Sequence, residues 1–185
     1  MNINENITAE IMRIPVVAKF EKVSREQFKK DVLDKMGSIF NTDEKIIIID
    51  DIYDEIKLPV RATKMSAGYD FFTPFSFKPV PGSGIVIPTG IRCKIDEGWV
   101  MQVYPRSGQG FKYGLHLYNT VGIIDGDYYN AKNEGHIMIK ISCKENCDVI
   151  NQGTAFCQAI FTQFGITEDD NVTTERIGGL GSTSK

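Results

Sequence analysis

The chain has little of what would place it in several large functional classes. There is no cationic excess: 21 Lys and Arg stand against 24 Asp and Glu, a net charge of -3 over 185 residues. Non-specific nucleic-acid binding draws on cationic surface, so no nucleic-acid partner is expected, and any phosphate recognition must come from a local set of donors. No apolar run approaches the ~20 residues that span a bilayer. The opening Met1-Asn-Ile-Asn-Glu-Asn6 has neither the basic stretch nor the apolar stretch of a secretory leader. A cytoplasmic protein with no membrane partner is the expectation. Histidines number only two, His116 and His136, and cysteines four, at 93, 143, 147 and 157. Cys143 and Cys147 could make half of a zinc site, but no second Cys/His pair lies near them in sequence. Buried thiols in a reducing compartment are the simpler reading. A Walker-type Gly-x4-Gly-Lys-Ser/Thr loop is also missing.

What remains is an ordinary globular composition, 42% hydrophobic and 24% charged, long enough for one sizeable core. Residues 1–57 read as a small α+β N-terminal extension: strand, helix, strand. Pro15 to Val23 reads as the first strand. Ser24-Arg-Glu-Gln27 is a capping-box pattern, followed by Phe28, Val32 and Met36 on one helical face, with Gly37 as C-cap. Ile46 to Ile49 reads as a buried strand, and Asp50, Asp51, Asp54 and Glu55 as a solvated connection after it.

From Leu58 the texture is β. Ile85–Ile91, Trp99–Tyr104, His136–Ser142 and Ala155–Phe164 are apolar or alternating runs, separated at short intervals by turn residues. In His136–Ser142, Ile137, Ile139 and Ile141 share one face, and His136, Lys140 and Ser142 the other. Many short strands with such punctuation predict a jelly-roll-type sandwich or barrel over residues 58–167. Residues 168–185 are rich in Gly, Ser and Thr, and read either as a frayed tail or as a lid that orders on a ligand.

Five segments combine glycines with donors or a carboxylate. Ala67-Gly-Tyr-Asp70 sets an Asp among aromatics, where it needs a partner. Pro105-Arg-Ser-Gly-Gln-Gly110 reads as a turn whose N–H groups and Arg106 could face one anion. Asn119-Thr-Val-Gly-Ile-Ile-Asp-Gly-Asp-Tyr128 reads as a hairpin with Asp125 and Tyr128 at its mouth. Gly153 to Gln158 puts an amide in an apolar strand. Arg176 and Gly178-Gly-Leu-Gly-Ser-Thr183 repeat the glycine, hydroxyl and cation chemistry. Each has a plain structural alternative: a satisfied turn, a solvated Arg, a loose tail.

In this order the five resemble the motifs of the homotrimeric dUTPases, over about residues 58–185. The first segments of the chain, Phe20–Ser24 and Glu26–Lys30, further resemble the extension of Firmicutes and phage members. The resemblance implies an all-β, distorted jelly-roll β-barrel subunit of a trimer, hydrolysing dUTP to dUMP and pyrophosphate with Mg²⁺. It implies that Asp125 activates the attacking water. Asn119, Gly122, Ile123, Ile124 and Leu180 would surround the base, and Tyr128 the deoxyribose. Arg106, Ser107, Gly108, Gln158, Arg176, Gly181, Ser182 and Thr183 would bind phosphates. Asp70 would sit near the metal, through water.

The chain departs from the family pattern in three places. Leu180 stands where Phe is common, and Gln109 where Leu or Ser is commoner. Asn130-Ala-Lys-Asn-Glu134 adds residues that read as a longer surface loop. Two other functions stay open. One is dCTP deamination on the same fold, which needs a Glu at the base; the other is nucleotide-controlled binding of a regulatory protein partner.

Overall fold

The computed structural model describes residues 14–37, 43–145, 147–174, 176 and 178, with only the backbone over 43–47. The extension begins with β1 (Ala18–Lys22) and α1 (Arg25–Met36). Ser24 caps α1 by accepting from the Gln27 N–H at 3.1 Å, and Phe28, Val32 and Met36 are buried. Gly37 ends the helix in a right-handed conformation rather than the left-handed one common at C-caps.

The second predicted strand of the extension is instead a helix, α2 (Asp43–Glu55). Four isoleucines in a row favour a strand locally. The wider spacing decides otherwise: Ile49, Ile52 and Ile56 are buried while Ile48 is 47% exposed, which is helical periodicity. Nor is the acidic stretch a solvated connection. Asp50 and Asp54, one helical turn apart, face Arg25, which reaches Asp54 at 2.5 Å and the Asp50 carbonyl at 2.8 Å. Lys22 donates to the Tyr53 and Asp54 carbonyls. These cations satisfy the C-terminal end of a helix whose own last turn has no basic residue.

The core is β. Strands β2 (Val60–Arg61), β3 (Tyr69–Phe72), β10 (Ala155–Gln163), β6 (Trp99–Pro105) and β8 (Gly122–Ile124) form an antiparallel sheet in that order. Strands β4 (Ile85–Pro88), β9 (Met138–Ser142) and β7 (His116–Leu117) form a second, and β1 pairs with β5 (Ile91–Ile95). This is jelly-roll architecture with the sheets left open. The predicted Ile85–Ile91 strand breaks at Gly90 (φ 74°), and its halves enter different sheets. A side chain at Gly90 would run into Ile56 and Phe28, so the corner is also where both extension helices pack.

Two other expectations change. The 119–128 segment is not a two-armed hairpin: β7 pairs with β9, β8 pairs with β6, and Gly126–Asn130 is a 3₁₀ turn. Residues 105–110 are not a plain turn either; Ser107–Tyr113 is a short helix, α3, closed by left-handed Gly114.

Candidate functional site

Asp70, Arg106 and Gln158 come together at one end of the large sheet. Gln158 of β10 stands opposite Asp70 of β3 on one side and Tyr104 of β6 on the other. Pro105 ends β6, and Arg106 then turns back so that its Nε lies 3.1 Å from Asp70 Oδ1. That ion pair answers the need for a partner at a carboxylate only 14% exposed. Gly68 lies close against the Gln158 amide oxygen, so a side chain there would push that amide aside. Ser107 and Gly108 open α3, so their N–H groups have no partner within the helix and can face an anion.

A second cluster lies at the other end of β6. Gly122, Ile123 and Ile124 pair with Val103, Gln102 and Met101 in turn. Asp125 follows, capping the 3₁₀ turn with the Tyr128 N–H on its carbonyl at 3.2 Å. The Asp125 side chain is 49% exposed. Tyr128 is buried, and its hydroxyl donates to the His136 carbonyl at 2.8 Å. Arg176 Nη2 lies 2.6 Å from Asp125 Oδ2 and its Nε 3.0 Å from Asp127 Oδ1. The guanidinium carbon also sits 5.6 Å from the Tyr128 ring centre. Burial raises the Tyr128 hydroxyl pKa, despite the Asn133 amide bond that lowers it, so the ring stays neutral.

Asn119, Gly122, Ile123 and Ile124 line one cavity of about 390 Å³, floored by Val103 and Leu117. Its size and apolar walls suit a small planar ligand. Thr120, in a left-handed conformation (φ 68°), makes the sharp bend that turns Asn119 toward this cavity rim.

Within one chain these two clusters do not meet. Ile124, before Asp125, stands opposite Met101, and Gln158 stands opposite Tyr104, three residues further along β6, about 10 Å. Leu180, Gly181, Ser182 and Thr183 lie outside the described residues. Among the described residues no group of three or more His, Cys, Asp or Glu could hold a metal. All four cysteines are buried and free. Burial pushes the Cys93 and Cys147 thiols up to about 12, which leaves them unreactive near neutral pH.

The family model for dUTPase matches residues 54–184. The chain belongs to the dUTPase family. The deoxyuridine 5'-triphosphate nucleotidohydrolase of Lactococcus lactis subsp. lactis is 39% identical over 132 residues, covering 69% of this chain and 88% of that protein. The corresponding protein of Dictyoglomus turgidum is 35% identical over 147 residues, covering 74% and 97%. Among solved structures, the dUTPase from Streptococcus mutans aligns with a TM-score of 0.57 at 36% identity, covering 62% of this chain and 91% of that one. The dUTPase from phage phi11 of S. aureus, at 23% identity and a TM-score of 0.53, shares the fold. The dUTPase match thus begins inside α2, and leaves β1 and α1 outside it.

Sequence reasoning missed three groups that crowd this site. Asn133 and Glu134 belong to the predicted surface loop, yet Ala131 is buried, Asn133 Nδ2 donates to the Tyr128 hydroxyl at 2.8 Å, and Glu134 binds the cap of α1. His136, assigned to a polar strand face, is fully buried. Glu134 (φ 57°) and Gly135 (φ 68°) form a tight left-handed bend; Gly135 after a short polar run signals the bend in the sequence but not what Glu134 binds.

Proposed function

We propose that this chain hydrolyses dUTP to dUMP and pyrophosphate. The observation that carries the reading is the half-exposed Asp125 carboxylate, directly after the cavity-lining Gly122–Ile124 strand and joined by Arg176 to the Tyr128 ring. Uracil occupies that cavity, reading its walls through the Asn119 amide and the β8 backbone, and the deoxyribose lies against Tyr128. Asp125 takes a proton from water as its oxygen attacks the α-phosphorus. The bond from that phosphorus to the bridging oxygen breaks, and pyrophosphate leaves. The half-exposed position of Asp125 leaves the base open to water. Arg106, Ser107, Gly108 and Gln158 hold the phosphates, and Arg176 with Leu180 and Gly181 to Thr183 closes over them.

Because the donor set and Asp125 sit at opposite ends of β6, a complete site needs a second copy of the chain, as in a homotrimer with shared sites. A phosphate-side cluster with one carboxylate, Asp70, and no protein cage among the described residues fits Mg²⁺, which keeps waters and takes substrate oxygens. Asp70 would hold it through water, where it would neutralise phosphate charge. The free, buried thiols support a cytoplasmic setting. Deamination of dCTP would need a Glu at the base cavity, and among the described residues none lines it; Glu134, the Glu next to the turn, is spent on the cap of α1.

The test is pyrophosphate release from dUTP, with dCTP, dTTP and UTP alongside. Asp125→Asn should lower kcat by about a thousandfold. Ammonia release from dCTP would replace the reading with deamination. A solution mass of one 20.7 kDa chain would remove the shared site.

A further inference from the structure

A buried polar chain joins α1, which lies outside the dUTPase match, to the Tyr128 hydroxyl. His136 Nε2 accepts from the Gly90 N–H at 2.8 Å. Its ring proton therefore sits on Nδ1 and goes to Asp31 Oδ2 at 2.6 Å. Asp31 also accepts from Gln27 Nε2 at 2.8 Å, so one side of α1 clamps the imidazole. The His136 carbonyl accepts the Tyr128 hydroxyl proton. That leaves the phenol oxygen's lone pairs for Asn133 Nδ2, 2.8 Å away. The turn bearing Asn133 is tied to the same helix: Glu134 accepts from the Ser24 N–H at 2.7 Å and the Ser24 hydroxyl at 2.6 Å. Gly135 closes the turn so tightly that a Cβ would lie 2.7 Å from the Tyr128 carbonyl oxygen. No member of this chain is used in the hydrolysis described above except Tyr128.

We propose that α1 is a positioning element of the nucleotide site: Asp31, through His136, and Asn133 directly fix the Tyr128 hydroxyl, and with it the ring that separates deoxyribose from ribose. The inference rests on the dUTPase reading, because it takes the Tyr128 ring to be the sugar contact. A ring free to tilt would leave room for a 2′-hydroxyl. The dUTP-over-UTP preference should then fall more than the dUTP rate itself. Asp31 and Asn133 are positioning residues, since they act through Tyr128 and His136 and neither lines the cavity.

The experiment is a double-mutant cycle on kcat/KM for dUTP and UTP in the full-length chain. Asp31→Asn keeps the shape of the side chain and removes its charge. It should cut the dUTP-over-UTP ratio about tenfold, and less than about twofold when Tyr128→Phe has already removed the hydroxyl. Asn133→Ala should behave the same way, and it decides the matter if Asp31→Asn does not fold. An unchanged ratio, or the same loss in both backgrounds, overturns the proposal, because a merely structural role does not depend on the phenol. Failure of the wild-type chain to hydrolyse dUTP is a separate outcome, and it removes the dUTPase reading along with the inference.

Discussion

At the Gly126–Asn130 turn the two ends of the chain reach the same residue by different physics. The N-terminal end approaches the Tyr128 hydroxyl from behind, through His136, which is fully buried, and Asp31, whose side chain is 9% exposed. The C-terminal end approaches the ring from outside, through Arg176 on Asp125 and Asp127, which are 49% and 53% exposed. A buried polar contact is costly to break, because its members cannot turn to water. A contact to exposed carboxylates opens cheaply. The first arrangement suits a scaffold and the second a lid, and the difference follows from how far the acidic partners are exposed.

The largest expected effect comes from breaking the buried side. Asp31→Ala leaves the His136 Nδ1–H and the Gln27 amide without an acceptor in a closed interior. The expected loss of stability is about 3 kcal/mol. For a chain of this size that lowers the melting temperature by roughly 10 °C. A denaturant titration showing less than about 1 kcal/mol would mean that water reaches the site and that the scaffold contrast is wrong.

Opening the exposed side should do the reverse. Arg176→Ala removes a cation from Asp125, Asp127 and the Tyr128 ring. Stability should fall by about 1 kcal/mol or less, since both carboxylates are half-exposed although the Arg176 side chain is only 15% exposed. The value of kcat/KM for dUTP should fall by about a hundredfold, the scale of losing one aimed donor in phosphoryl chemistry. A fall in melting temperature matching that of Asp31→Ala would place both ends of the chain in one structural class.

The same contrast explains what could be read in advance. That Asp70, Arg106 and Gln158 are unusual where they stand was legible because the cue is local: a carboxylate among aromatics, an Arg after a strand-ending Pro, an amide in an apolar strand. The β core was legible from alternation and turn spacing. The helix over Ile46–Ile49 was not, because four β-branched residues dominate a short window, and the burial of Ile49, Ile52 and Ile56 that outweighs them is set by α1. His136 and Glu134 were missed for a related reason. Their partners, Asp31 and Ser24, lie more than a hundred residues away, at separations of 105 and 110. Nothing local in a His at a strand start or a Glu in a loop distinguishes a solvated group from one that closes a helix cap.

Acid should act on the buried end by titration. Burial pushes the Asp31 carboxyl up, but the His136 and Gln27 hydrogen bonds outweigh it, and the net shift is downward. Glu134 is likewise pushed up by burial and pulled further down by the Ser24 hydroxyl and N–H and by the Arg92 charge. A carboxyl whose folded pKa lies below its unfolded value of about 4 stabilises fully above that value. The stabilisation drains as pH falls through the folded values. Melting temperature should therefore drop below about pH 4, and less steeply in Asp31→Asn. Equal acid slopes in the two proteins would take Asp31 out of the account.

The smallest effect tests whether the cap of α1 and the 130–134 turn are one unit. Ser24 does two things at once: its hydroxyl oxygen accepts from the Gln27 N–H, and its hydroxyl proton goes to Glu134. Ser24→Ala removes both, while the Ser24 N–H bond to Glu134 survives as a backbone contact. A lost cap costs about 1 kcal/mol. If the turn is held by the same residue, Glu134→Ala in the Ser24→Ala background should cost less than Glu134→Ala alone, by about 0.5 kcal/mol or more. Strict additivity would mean that the helix cap and the turn behind Tyr128 are neighbours without being coupled. The N-terminal grip would then run through Asp31 and His136 alone.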